Sequence, residues 1–512
     1  MPGVHDVAEL VAAAAEQEPE RVAVVEPGGR RLTWAGIEDE VGRIATGLGL
    51  VGVVGGQRVL LAVGNRIEFV TTYLGVLRAQ AVAVPVNPRS TVDELARMLD
   101  DSGSRVAVAD AGTAAAVREA AGTLAAPPLV VVVGDPTYDE LRAAPPRPVP
   151  PLQDPEKLAA LLYTSGTSGR PRAAMLTHRA LLANVDQVGR AEPPMVRHDD
   201  VVLGVLPMFH VYGLNAVLGG VLRHRARLVL VERFDPHETL VVVDEERCTV
   251  LPVAPPVFAY WEEEPDLAER LGSVRVVLSG SAPLSAEVAQ RFTDRTGIPV
   301  QQGYGLTEAA PVVTSTLCSA SPEPGSVGAA LPGVEIRLVD DDGRPPEGED
   351  AGEIQVRGAN LFSGYWPDGS GGPDDEGWWS TGDVGFLDRD GDLFLVDRLR
   401  ELVIVSGFNV YPTEVEDVVA EVPGVTDVGV IGVDDPHTGE AVVAYVRADP
   451  DAAGDPEALV EAVREHCAQR LARFKRPSRV EVVDELPKTV TGKVQKGRLR
   501  GIERRRTLGL IE

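Results

Sequence analysis

Residues 163–172 read Tyr-Thr-Ser-Gly-Thr-Ser-Gly-Arg-Pro-Arg, ten positions with four Ser and Thr hydroxyls, two glycines and two arginines. Glycine lets a backbone approach an anion closely, hydroxyl and N–H groups donate to phosphate oxygens, and arginine supplies compensating charge. By composition Thr164, Ser165, Gly166, Thr167, Ser168, Gly169 and Arg172 form a phosphate-binding loop, although a solvent-exposed polar turn has the same composition. The segment lacks the G-x-x-x-x-G-K-[ST] spacing of a Walker loop. A second signal is lysine. Only Lys157, Lys475, Lys488, Lys493 and Lys496 occur among 49 basic residues, and three of these five fall within residues 488–496. Gly47, Gly49 and Gly52 satisfy G-x-G-x-x-G, but a helical pattern precedes them where a dinucleotide fingerprint needs a strand, so no such site is expected.

The elements that must position these groups alternate. Apolar runs at residues 59–63, 106–109, 129–133, 201–206, 228–231 and 274–279 read as strands buried on both faces. Amphipathic stretches such as 37–48 and 70–79 lie between them at helical spacing. Repeated strand and helix implies an α/β fold with mainly parallel sheets. After about Gly325 the texture changes to short strands with acidic, glycine-rich turns, which reads as antiparallel and barrel-like. Near Arg398 strand and helix alternate again to the end. Residues 145–155 are proline-rich and read as an exposed connector. Residues 201–222 carry no Asp, Glu, Lys or Arg and match the length of a membrane span, but Pro207, His210, Asn215 and four glycines argue for buried turns.

Several function classes are excluded by charge and composition. The 512 residues carry 49 Lys and Arg against 77 Asp and Glu, a net charge of −28, which argues against nucleic acid and against adhesion to an anionic membrane. Cys248, Cys318 and Cys467 are far apart, without the spacing of a disulfide framework or a cysteine zinc site, and fit a reducing cytoplasm. No G-x-S-x-G elbow of a serine hydrolase occurs. Nothing in the sequence sets the oligomeric state.

Six motifs in order resemble the adenylate-forming superfamily of acyl-CoA synthetases, peptide adenylation domains and luciferases, over nearly the whole chain. They are residues 164–172, 206–213 (Leu-Pro-Met-Phe-His-Val-Tyr-Gly), 302–308 (Gln-Gly-Tyr-Gly-Leu-Thr-Glu), 379–383 (Trp-Ser-Thr-Gly-Asp), 397–412 and 487–493 (Pro-Lys-Thr-Val-Thr-Gly-Lys). The resemblance implies a large N-terminal adenylation domain, 1–397, of two parallel-rich sheets with helices plus a barrel-like part. It also implies a small mobile α+β lid domain, 398–512. The implied chemistry joins a carboxylic acid to ATP with loss of pyrophosphate and passes the acyl group from acyl-AMP to a thiol, with ATP, Mg²⁺ and coenzyme A as the small-molecule partners. Catalysis of in-line attack at the α-phosphate is then mainly positioning and charge neutralisation.

By resemblance, residues 164–172 hold the β- and γ-phosphates, Thr307 bonds the α-phosphate and Glu308 ligates magnesium, which requires oxygen donors. Asp383 accepts the ribose hydroxyls and Arg398 contacts the same sugar. Gly280, Ser281, Ala282, Pro283, Gln302, Gly303, Tyr304 and Gly305 form the adenine walls. Lys493 bridges carboxylate and α-phosphate as a compact mobile cation. Arg400 occupies the hinge, after which the lid presents Ser406, Gly407 and Phe408 to coenzyme A. Gly407 would keep a narrow pantetheine tunnel open.

The family loop usually ends Pro-Lys-Gly, whereas Pro171-Arg172-Ala173 stands here. Arginine keeps the charge without the compact geometry, and alanine takes positive φ less easily than glycine. A weak homologue that only binds an adenylate is the reading this departure motivates. For the acid, residues 209–212 lack the aspartate that pairs an amino acid's ammonium, and His210 reads as a wall or gate of the acyl pocket. Leu278 stands where hydroxycinnamate ligases often place a lysine. Tyr212, Ala216, Leu278, Ser281, Pro311 and Val312 thus outline an apolar pocket, for a medium- or long-chain fatty acid. An arylalkenoate, or an acyl-AMP ligase feeding a carrier protein, are the alternatives.

Overall fold

The computed structural model describes residues 3–165, 171–281, 284, 286–340, 344, 352–398, 403–410, 412–449, 456–487, 494 and 496–507, with backbone alone at 165, 384, 396–398, 409, 413, 497–498, 501, 504–505 and 507. It divides into two compact units, one of Met1–Tyr163 with Ala173–Asp397, the other of Thr164–Arg172 with Arg398–Glu512.

Two sheets dominate the larger unit. The first has six strands in the order Leu129–Val132, Val106–Ala109, Arg58–Ala62, Val82–Pro85, Leu158–Ser165 and Pro171–Thr177. The second has nine, Ala329–Ala330, Val312–Ser315, Val300–Gly305, Val276–Ser279, Val250–Val253, Val201–Gly204, Arg227–Leu230, Val22–Val25 and Arg31–Thr33. Its central strands pair in parallel and its ends antiparallel. Strands covered on both faces need apolar residues on both, and Val82–Pro85, Val106–Ala109 and Val250–Val253 are buried at every position. This is the α/β architecture expected from the alternating apolar runs. Residues 334–398 add a four-stranded sheet of Val334–Val339, Gly352–Gly358, Trp378–Leu387 and Leu393–Arg398, whose first three strands pair antiparallel.

Of the two helices expected to be amphipathic, Trp34–Leu50 keeps a polar face with Asp39 exposed, whereas the second is more enclosed than its spacing suggested. Ile67–Arg78 is buried from Ile67 through Leu77. It meets Trp34–Leu50 so closely that a Cβ at Gly75 would lie 2.6 Å from Ile44 Cγ2. Gly47 and Gly49 belong to the end of that preceding helix, and a Cβ on Gly47 would strike the Leu141 carbonyl, so its glycine serves packing. The proline-rich connector is exposed yet docked. Pro146 covers Gly42, Thr46 Oγ1 accepts the Arg147 N–H at 2.9 Å, and Gln80 donates to the Pro150 carbonyl at 2.8 Å. Residues 201–222 form the strand Val201–Gly204, a π-helix Tyr212–Gly219 and the helix Gly220–His224, rather than turns alone. Among the described residues no helix is long and apolar enough to cross a membrane.

The smaller unit is built on a five-stranded sheet in which Phe408–Val410, Val403–Val405, Gly439–Ala448 and Val425–Asp435 follow one another antiparallel, and Arg479–Val483 joins Gly439–Ala448 in parallel. Helices Pro412–Ala420, Pro456–Arg470 and Lys496–Thr507 complete it.

Candidate active site

Strand Val300–Gly305 turns into the short 3₁₀ helix Thr307–Ala309 and returns antiparallel as Val312–Ser315, with Gly305 opposite Val312. The turn closes through the Leu306 N–H on the Pro311 carbonyl at 3.0 Å and places Ala310 in the left-handed region at φ 65°. This brings Thr307, half-buried, and Glu308, 8 % exposed, to the end of the sheet's parallel strands. Open parallel sheets generally bind ligands in this crevice. Gly303 and Gly305 have a local cause. A Cβ would lie 2.7 Å from the Thr314 carbonyl oxygen at the first and 2.4 Å from that of Pro311 at the second, so the tight return requires glycine without any ligand.

Residues 362–366 tie Glu308 to the strand that follows the phosphate-loop motif. The Phe362 N–H donates to the Glu308 carbonyl at 2.9 Å, and the Tyr365 hydroxyl donates to Glu308 Oε1 at 2.6 Å. Met175 N–H donates to Gly364 O, Trp366 N–H to Ala173 O, and Ala174 bridges to Tyr365. Ala173 lies within the extended strand Pro171–Thr177, 1 % exposed and not at positive φ, so alanine in place of the family's glycine strains nothing here. Thr177 caps the next helix, His178–Gly189, by accepting the Ala180 N–H at 3.1 Å. On the other side of the loop motif, Thr164 Oγ1 donates to the Arg172 carbonyl at 3.4 Å.

A second carboxylate is held in the same manner. Asp383, on strand Trp378–Leu387, accepts the Tyr304 hydroxyl on Oδ2 at 2.7 Å, and its N–H donates to Thr381 Oγ1 at 3.1 Å. The Tyr304 ring is 6 % exposed within the main core, so it packs as core while its hydroxyl orients Asp383. Gln302 is fixed through its N–H on Thr316 Oγ1 at 3.0 Å.

Of the residues expected to line the acyl pocket, Tyr212 and Leu278 meet beside Gly280. A Cβ there would lie 2.9 Å from the Tyr212 ring, whose hydroxyl points to the Leu278 carbonyl at 3.5 Å. In the π-helix Tyr212–Gly219 every residue is buried except Tyr212 and Ala216, one turn apart on one face. Leu278 is likewise the one half-buried position of strand Val276–Ser279, and Val312 is half-buried beside fully buried Pro311. Ser281 follows with φ 72°. His210 keeps slight access, but its apolar surroundings push its pKa down to about 4, so the ring is neutral near pH 7. The Tyr212 N–H points at His210 Nδ1 at 3.4 Å, which leaves the proton on Nε2.

In the smaller unit, Ser406 and Gly407 form a two-residue turn between Val405 and its partner Phe408, with φ 52° and 81°. Positive φ at both central positions defines a type I′ hairpin, so Gly407 already has a reason to be glycine. Phe408 packs against Phe474 with ring centres 4.6 Å apart and planes tilted by 31°. Lys496 is buried and paired with Glu416 at 2.8 Å, and Lys475 is paired with Glu414 at 2.9 Å. Gly166, Thr167, Ser168, Gly169, Ala282, Pro283, Arg400 and Lys493 lie outside the described residues, as do the side chains of Ser165 and Arg398.

Sequence reasoning missed Tyr365, Asn184 and Asn360, all of which grip the Thr307–Ala309 turn or its continuation. The cysteines are unpaired, and burial pushes Cys248 and Cys467 up to about 12 and about 11, which removes them as thiolate nucleophiles.

Residues 11–366 match the AMP-binding enzyme family, and residues 414–493 match the AMP-binding enzyme C-terminal domain. The chain belongs to the AMP-binding enzyme family. A feruloyl-CoA synthase of Amycolatopsis sp is 36 % identical, over 95 % of this chain and 96 % of that one. A long-chain-fatty-acid–CoA ligase of Bacillus subtilis is 31 % identical, over 92 % of this chain and 90 % of its own. The solved o-succinylbenzoate CoA synthetase of Bacillus subtilis superposes with a TM-score of 0.85 at 26 % identity, covering 96 % of this chain and 98 % of its own. This AMP-binding enzyme is therefore an adenylate-forming ligase with the large and small domains of that fold. Among the described residues no three His, Cys, Asp or Glu side chains cluster as a resident metal site, and magnesium commonly takes one or two carboxylates plus substrate phosphates, which Glu308 matches.

Proposed function

We propose that this AMP-binding enzyme activates an apolar carboxylic acid with MgATP, as acyl-AMP and pyrophosphate, and transfers the acyl group to coenzyme A with release of AMP. Glu308, oriented by Tyr365, would hold magnesium, which would neutralise charge on the phosphates, and Thr307 would donate to the α-phosphate. Residues 164–172 hold the outer phosphates, with Arg172 in the role of the usual lysine. Asp383, oriented by Tyr304, accepts from the ribose with Arg398 beside it. Gly280, Ser281, Ala282, Pro283, Gln302, Gly303 and Gly305 face the adenine. Lys493 stabilises charge on the attacking carboxylate and α-phosphate, Arg400 is the hinge, and Ser406, Gly407 and Phe408 serve the thioester step.

The observation that carries the substrate reading is the character of the side chains left half-buried on the π-helix and on strands Val276–Ser279 and Val312–Ser315. Tyr212, Ala216, Leu278 and Val312 bear no charge, and His210 is neutral. Such a wall excludes an ammonium or a second carboxylate and favours a medium- or long-chain fatty acid. An arylalkenoate is the second reading, favoured by the 36 % identity to the feruloyl-CoA synthase. Incubation with MgATP, coenzyme A and a panel of fatty, cinnamate-type and amino acids tests this. Turnover of fatty acids above the aryl series supports the first reading and the reverse order supports the second. Turnover confined to amino acids overturns both.

A further inference from the structure

Three buried asparagines from three separate elements grip carbonyls of the turn that carries Thr307 and Glu308 and of the strand that follows it. Asn360, after strand Gly352–Gly358, donates to the Ala309 carbonyl at 2.7 Å. Asn215, in the π-helix, donates to the Ala310 carbonyl at 2.6 Å and to Leu181 O at 3.0 Å. Asn184, in helix His178–Gly189, donates to the Val312 carbonyl at 2.8 Å while its Oδ1 accepts the Val312 N–H at 3.2 Å. All three are at most 2 % exposed. Gln187 links two of them, donating to Asn360 Oδ1 at 3.2 Å and accepting from Asn184 Nδ2 at 3.3 Å.

A 3₁₀ turn followed by a left-handed residue aims its carbonyls where no strand or helix ladder can meet them, and buried carbonyls left unpaired are costly. A primary amide supplies the missing donor from any direction. Asn215 also sits between Tyr212 and Ala216, the two residues of the π-helix that are not fully buried. One side chain therefore joins the face offered to the acid to the turn offered to the phosphates.

We propose that Asn184, Asn215 and Asn360 are positioning residues for the adenylation step. Their bracket holds Thr307 and Glu308 in register with the acyl-binding face, so that the fit of the acid is felt at the phosphate-binding turn. The proposal rests on the function proposed above. A misplacement of about 1 Å in a positioned group can cost about 100-fold in rate.

The test compares Asn184→Ala, Asn215→Ala and Asn360→Ala with Thr113→Ala, which removes a buried hydroxyl bond to the Ala62 carbonyl at 2.8 Å in the six-stranded sheet. Per folded molecule, acid-dependent pyrophosphate release should fall about 10- to 100-fold in the bracket variants. The magnesium concentration for half-maximal rate at fixed ATP should rise. Thioester formation from supplied acyl-adenylate should fall less than about threefold, because magnesium and pyrophosphate have left by then. Thr113→Ala should change none of these ratios. Where an alanine variant does not fold, Asn360→Asp keeps the volume, sets an acceptor against the Ala309 carbonyl, and is judged by the same ratios. Equal loss of both half-reactions, or behaviour like Thr113→Ala, overturns the bracket. Wild-type protein that releases no pyrophosphate with any acid overturns the function instead. The bracket is then judged by calorimetric binding of MgATP, expected to weaken in the three variants and overturned if unchanged.

Discussion

The Tyr304 hydroxyl donates to Asp383 Oδ2 at 2.7 Å, across 79 residues of sequence, from the parallel sheet to the antiparallel one. The bond ties the Asp383 carboxylate to the nine-stranded sheet. Tyr304→Phe deletes only that hydroxyl and should raise KM for ATP about tenfold, the loss of about 1.4 kcal/mol, with kcat little changed. Asp383→Ala should raise it further. Steady-state kinetics in ATP at saturating acid check both, and an unchanged KM in Asp383→Ala would remove Asp383 from the nucleotide site.

Ala216 sets the room left on the π-helix face beside Tyr212. Ala216→Phe should lower kcat/KM for long acids by about 10- to 100-fold while short acids keep most of theirs, since each methylene excluded from an apolar pocket is worth about 1–3 kcal/mol. Rates across a chain-length series measure this. A uniform loss at every length would mean that Ala216 does not face the acid.

Lys496 and Glu416 are buried and paired at 2.8 Å, and Glu416 also accepts the Val430 N–H at 2.7 Å. Removing one partner of a buried pair strands the other charge, so Lys496→Met should destabilise the smaller unit by about 3 kcal/mol, while the double change with Glu416→Met recovers part of the loss. Denaturant unfolding reads both. The helix Lys496–Thr507 starts at this pair.

Asp6 and His178 approach to 3.4 Å in a buried corner with opposite pH dependence. Burial raises Asp6 from 3.8 to about 7 and lowers His178 from 6.5 to about 4. The folded chain holds the Asp6 proton that the unfolded chain releases, so this group costs stability as pH rises from 3.8 to about 7. His178 costs stability as pH falls from 6.5 to about 4, because only the unfolded ring takes up the proton. Asp6→Asn, which retains an oxygen for the Ala8 N–H, should therefore stabilise the protein at pH 8 by up to about 4 kcal/mol, with the gain vanishing near pH 4. A gain equal at both pH values would contradict the shift.

Much of this architecture is legible because strands buried on both faces leave continuous apolar runs, as Arg58–Ala62 and Val106–Ala109 do. The positions of Thr307, Glu308 and Asp383 are legible through their motifs. Tyr365, Asn184 and Asn360 are not, because each is a lone polar residue whose partner lies 57, 128 and 51 residues away, without periodicity to mark it. The π-helix escapes for a related reason, since the partners of its buried Asn215, the Leu181 and Ala310 carbonyls, are remote in sequence. Glycine misleads in the opposite direction. Gly303, Gly305 and Gly407 invite ligand-based explanations, but hairpin sterics and positive φ account for them.

The most direct measurement is exchange of labelled pyrophosphate into ATP without coenzyme A, followed by addition of coenzyme A and quantification of AMP and thioester. Expected is exchange that depends on a fatty or aryl acid, is lost in Lys493→Ala, and gives way on adding coenzyme A to equal amounts of AMP and acyl-CoA. Absence of acid-dependent exchange with every acid would contradict adenylation itself, and exchange without thioester would contradict coenzyme A as the acceptor.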